Sequence, residues 1–137
     1  MTRGGNDDGG YSIAYDHFAS ALRLQVWGFW PDDVAGQFAD AMMGACQKVL
    51  RPVVVRADAT HLKPQRLAGQ EAWRRIFIAL QAGGLSRAII LCPNALTRLQ
   101  LQRLIKETDA SAWSCVTSDA EAAVALHAGP PREVNHG

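Results

Sequence analysis

Large residues fall at every second position in Tyr11-Ser12-Ile13-Ala14-Tyr15, and apolar residues do so again in Leu22-Arg23-Leu24-Gln25-Val26. This is the period of a strand with one covered face. The stretch 16–20 between them is short and polar enough for a hairpin loop, so two antiparallel strands are predicted. Gly28 ends the second strand, and Trp30-Pro31-Asp32-Asp33 opens a helix, because Pro is tolerated in a first turn and acidic residues there complement the dipole. Val34, Phe38, Ala41, Met42, Ala45 and Val49 then recur at spacings of three and four, a stripe wide enough to cover a sheet, and the helix runs to about Lys48.

Arg51-Pro52 breaks the helical pattern before Val53-Val54-Val55, a β-branched run that ends at Arg56-Ala57-Asp58 and suits a central strand covered on both faces. A loop over 59–63 leads to Pro64 at the start of a second helix. Its predicted buried stripe is Leu67, Trp73, Ile76, Phe77 and Leu80, and Gly83-Gly84 stops it. A third unit follows, with a strand over 88–92, Asn94 as N-cap and a helix through about Glu107. The fourth is a short strand over 113–116 and then Ser118-Asp119-Ala120-Glu121, the spacing of a capping box, ahead of Ala122, Val124, Ala125 and Leu126. The predicted order is β-β-α-β-α-β-α-β-α, an α/β fold. Its mixed sheet has an N-terminal antiparallel hairpin and a parallel section, with about four helices laid on it by right-handed crossovers. Function in such sheets concentrates in loops at the carboxyl ends of the parallel strands, here 58–63, Pro93-Asn94 and Thr117-Ser118.

Residues 1–10 and 129–137 carry almost nothing that burial would reward, so both are expected to be disordered tails around one domain over 11–128. The whole chain has 137 residues, 48% of them apolar, enough to bury a core without a disulfide or metal staple. Its 14 Lys and Arg against 13 Asp and Glu set up no long-range field, so nucleic acid and anionic lipid are not expected partners. Cys46, Cys92 and Cys115 are odd in number and without paired spacing, which fits a reducing compartment. No stretch approaches the ~20 apolar residues of a membrane span, and the N-terminus lacks the apolar stretch of a secretory signal. A cytoplasmic location without membrane insertion is expected.

Chemistry-bearing residues are sparse. His17, His61, His127 and His136 are scattered without the close ligand pairs of a zinc site, so neither a metal nor another cofactor is expected. Cys92, just ahead of the third helix, is placed to be activated by the helix dipole, but reads more simply as a small buried hydrophobe. No Ser-His-Asp or Cys-His grouping assembles, and the glycines precede the first strand where a phosphate loop would follow one, so no catalytic residue is assigned. Arg74-Arg75 and Arg98, Arg103 and Lys106 read as solvated helix faces. Strict alternation places Trp27 on the face of Arg23 and Gln25, away from Leu22, Leu24 and Val26. Trp27, Phe29 and Trp30 form a dense aromatic cluster. Its plain use is core packing. The alternatives are a homodimer contact or an apolar-ligand pocket lined by Trp27, Trp30, Trp73 and Phe77.

Several segments together resemble the bacterial STAS domains, and within them the SpoIIAA-like branch. They are the apolar-Gly-Phe-Trp end of the hairpin, the strand ending in Asp58, Gly84-Leu85-Ser86-Arg87-Ala88-Ile89-Ile90, Gln100-Leu101-Gln102-Arg103-Leu104 and the final Ser-Asp-Ala-Glu-Ala-Ala segment. The resemblance covers about residues 11–126. It implies a non-catalytic regulatory domain, as in anti-sigma-factor antagonists, where an Asp-Ser-Ser-Gly loop after a central strand is phosphorylated by a partner kinase and phosphorylation abolishes binding. The matching stretch is Asp58-Ala59-Thr60-His61: Asp58 fits, Thr60 stands at the phosphoacceptor, and Ala59 and His61 depart from the pattern. The expectation is docking of a kinase or anti-sigma-factor-like regulator on residues 58–66, including Asp58, Thr60, His61 and Arg66, and on the exposed face of the second helix.

Overall fold

The computed structural model describes residues 1–49, 54–82 and 87–123. The elements are β1 (Thr2–Asn6), β2 (Gly9–Asp16), β3 (Ala21–Gly28), α1 (Asp32–Lys48), β4 (Val54–Leu62), α2 (Leu67–Ala82), β5 (Arg87–Leu91), α3 (Ala95–Glu107) and β6 (Ser114–Thr117). A further helix, α4, begins at Ala120 and is described to residue 123. The predicted mixed α/β sheet is the one observed. It has six strands in sequential order, antiparallel through β1–β2–β3 and parallel through β3–β4–β5–β6. The predicted breaks at Arg51-Pro52 and Gly83-Gly84, the expected tail at 129–137 and the apolar positions 124–126 lie outside the described residues.

Because each parallel strand is added on the same side of the last, right-handed crossovers carry α1, α2 and α3 onto one face. The buried residues of all three helices join Tyr11, Ile13, Leu22, Leu24, Val26, Val55, Ala57, Ala88 and Ile90 of the strands in a single core. Aromatic rings run through it: Phe38 packs 5.2 Å from Tyr11, 4.7 Å from Trp30 and 5.2 Å from Trp73 between ring centroids, and Trp73 leads on to Phe77 at 6.0 Å. The opposite face is built by the alternate residues. One row reads Ala14, Arg23, Arg56, Ile89 and Cys115 across β2 to β6, and the next reads Ser12, Gln25, Asp58, Leu91 and Thr117. Among the described residues only the start of α4 covers it, where Ala123 and Ile89 are both buried.

Four expectations are corrected. Residues 2–6 are an edge strand where a tail was expected. Strand pairing uses backbone groups and needs no apolar pattern, and Asn6 accepts the Asp8 N–H at 2.9 Å to close the tight turn into β2. Residues 59–62, expected in a loop, belong to β4, since its pairing with β3 resumes beyond a bulge at Trp27–His61 and Gly28–Leu62. Leu67 is 82% exposed, because a spacing of six from Trp73 takes it off the stripe that Trp73, Ile76, Phe77 and Leu80 share. At α4 the capping oxygen comes from Asp119, which accepts the Glu121 N–H at 2.8 Å, one residue later than the predicted Ser118.

Candidate functional site

The bulge sets the geometry of the segment singled out by sequence. Between the pairs Gln25–Asp58 and Trp27–His61, β4 runs three residues against two on β3. Asp58 bridges the extra residue, its Oδ1 accepting the Thr60 N–H at 3.0 Å and the Thr60 hydroxyl at 2.6 Å. Thr60 is half-buried and His61 exposed on this strand, so the predicted phosphoacceptor stands in a sheet with its hydroxyl already committed. Arg66 lies past the end of β4, its guanidinium 5.1 Å from the Phe29 ring centre.

A residue that sequence reasoning passed over organises this end of the molecule. Gln65 is buried and donates from Nε2 to the Gly28 carbonyl at 3.0 Å and the Lys63 carbonyl at 2.7 Å, while its Oε1 accepts the Trp30 N–H at 3.1 Å. Its backbone exchanges two hydrogen bonds of 2.8 Å with the Gln100 side chain. Gln65 therefore ties the ends of β3 and β4 to α2 and α3. No single residue type signals such a role, and only the Pro64 boundary marks its neighbourhood. Gly28, at φ +73°, is required beside it: a Cβ there would strike the Asp8 carbonyl.

With the helix starts fixed in this way, Leu67 on α2 and Leu96 and Leu99 on α3 stand at one end of the helical layer, 82%, 68% and 61% exposed. Neither helix has an acidic residue in its first turn. Lys63, Arg66 and Arg98 add positive charge, with Arg98 donating to the carbonyls of Cys92 at 3.2 Å and Pro93 at 3.0 Å. Farther along the helices the arginines are engaged with acids: Arg74 with Glu71 and Glu107, Arg75 with Asp40, and Arg103 with Glu107.

Of the residues suggested for an apolar ligand, three pack against one another and Trp27 lies on the other face of the sheet. Trp30, Trp73 and Phe77 are packed inside the core, Trp30 stacked on Trp73 at 6.0 Å with its Nε1 donating to the Gly10 carbonyl at 3.1 Å. Trp73 Nε1 is buried with no hydrogen-bond partner among the described residues. Trp27 points to the opposite face, donates to the Asn6 carbonyl at 2.8 Å and lies under Arg3 at 5.4 Å, as its place in the alternation requires. There it lines a groove of about 440 Å³ with Arg3, Asp7, Gln25, Asp58 and His61. A neighbouring groove of about 460 Å³ shares Gln25 and Asp58 and extends over Ser12, Ala14, Arg23, Arg56, Leu91 and Ala123. Cys92 is fully buried, and that burial pushes its thiol pKa up against the weaker opposing effects of the Asn94 backbone and Arg98, so the thiol is kept neutral. Among the described residues no three His, Cys, Asp or Glu side chains gather as metal ligands, and no helix is long and apolar enough to cross a membrane.

The fold defines the class: a sequentially ordered mixed sheet with its three crossover helices on one face, wound in the SpoIIAA-like manner. A solved structure with this fold is that of a DUF3478-family protein from Shewanella loihica PV-4, described as uncharacterized with a SpoIIAA-like fold. It superposes with a TM-score of 0.65 at 14% identity, over 89% of this chain and 97% of that one. The SpoIIAA-like fold expected from the resemblance is thus the fold found. No protein-family profile matches the chain, and no curated protein matches it.

Proposed function

We propose that this chain is a non-catalytic, cytoplasmic docking domain that binds a protein partner at the end of the sheet where β4 and β5 run into α2 and α3. The observation that carries the reading is the exposure of three large apolar side chains, Leu67, Leu96 and Leu99, within the first two turns of α2 and α3, whose starts Gln65 and Gln100 hold side by side. Three apolar anchors rimmed by Lys63, Arg66 and Arg98, at two helix ends without acidic residues, suit a partner segment that is apolar and acidic. A kinase or anti-sigma-factor-like regulator is the partner class that the resemblance implies. Control at Thr60 fits the same surface, since a phosphate there carries about −1.5 to −2 charge. It would sit against the Asp58 carboxylate and undo the 2.6 Å bond that shapes the bulge leading to Arg66.

The test is affinity capture from the source cells with the wild-type chain, Leu67→Asp/Leu96→Asp and Thr60→Glu. The expected result is a stoichiometric partner lost with the double variant and weakened by Thr60→Glu, with all three chains folded. Equal recovery of that partner by the double variant would contradict the reading.

A further inference from the structure

The open face of the sheet carries a feature that the docking surface does not use. Arg23 and Arg56 are register partners on β3 and β4, adjacent strands about 4.8 Å apart, and both point away from the helices. Like charges on directly facing register positions are unfavourable unless something neutralises them. Arg23 is held by Asp16 at 3.0 Å, whereas Arg56, half-buried, has no hydrogen bond or ion pair among the described residues. Besides Asp16, the other charged groups on this face are Arg87, one row toward the amino ends of the strands, Asp58, one row the other way with an oxygen already engaged by Thr60, and beyond it Arg3, Asp7 and His61 around Trp27. Beside the arginines the face turns apolar: Ala14 on one side, and Leu91 and Ala123 on the other, line the groove of about 460 Å³, within the ~300–1,000 Å³ of small-molecule sites.

We propose that this groove binds an amphiphilic carboxylate, its head on the guanidinium groups of Arg56 and Arg23 and its apolar body along Leu91 and Ala123. The head would cancel the repulsion within the arginine pair, and guanidinium matches carboxylate geometry in a two-pronged hydrogen bond. The body would cover the apolar side of the groove. This site is on the opposite side of the sheet from Leu67 and Leu96, so it stands or falls independently of the docking surface.

The experiment is a titration of the isotopically labelled full chain with decanoate below its micelle concentration, followed by amide chemical shifts. Decanol serves as the uncharged body and inorganic phosphate as the bare anion. Decanoate is expected to shift residues of the rows containing Arg23, Arg56 and Leu91, and to bind about tenfold or more tightly than either control. Arg56→Gln should weaken decanoate by about tenfold while leaving the melting temperature unchanged or raised, since it removes a like-charge neighbour. Arg23→Gln gives the same readout from the other strand. Absence of shifts on this face, decanol binding as well as decanoate, phosphate doing so, or undiminished decanoate affinity in both variants would each overturn the proposal.

Discussion

The two faces of this sheet differ in what their side chains accomplish. On the helix side, Phe38 touches Tyr11, Trp30 and Trp73 and the residues of three helices and four strands close into one core. On the other side the same strands present Arg23, Gln25, Arg56 and Asp58 in rows with Ile89 and Leu91, and an arginine is left without a partner among the described residues. Stability is concentrated on one face, which frees the alternate positions of every strand for recognition. The aromatic residues that invited a ligand reading lie almost wholly on the stabilising side.

Substitutions can break that contrast. The largest effect is expected from Phe38→Ala, which empties the fully buried centre of the ring cluster and should cost about 3–5 kcal/mol in a urea denaturation series. Gln25→Ala on the open face serves as its near-neutral counterpart. Equal costs would abolish the distinction between the faces. Gln65→Ala comes next: it strands the Trp30 N–H and the carbonyls of Gly28 and Lys63, and about 2 kcal/mol or more should be lost in the same assay. The smallest effect is alkaline. Burial raises the pKa values of Cys92, Cys115 and Tyr11, so the unfolded chain releases those protons first. Stability should therefore fall as pH rises above about 8.5, the thiol value in an unfolded chain. The urea midpoint at pH 9.5 is expected below that at pH 7.5, with Cys92→Ala reducing the difference.

Much of this fold is legible in the residues. The alternation in 11–15 and 22–26, the Pro31-Asp32-Asp33 helix start and Asn94, which accepts the Thr97 N–H at 2.9 Å, each report a local physical preference. What escaped has no such local signature. Edge strand β1 is held by backbone pairing, and β4 runs on through Asp58-Ala59-Thr60-His61 because β3 lies alongside to pair with it. The candidate site is half visible: residues 58–66 lead from the bulge in β4 to the helix starts of the proposed surface. Yet Leu67, read as core, is exposed, and Leu96 and Leu99 acquire meaning only when Gln65 and Gln100 set two helix starts together.

That juxtaposition is the central claim, and site-specific photo-crosslinking in the source cells tests it most directly. A photoreactive residue is placed in turn at Leu67, Leu96 and Phe18, the last a still more exposed apolar position in the β2–β3 loop. The account predicts one protein cross-linked from both Leu67 and Leu96 and none from Phe18. Cross-linking from Phe18 alone, or to unrelated proteins from Leu67 and Leu96, would contradict it.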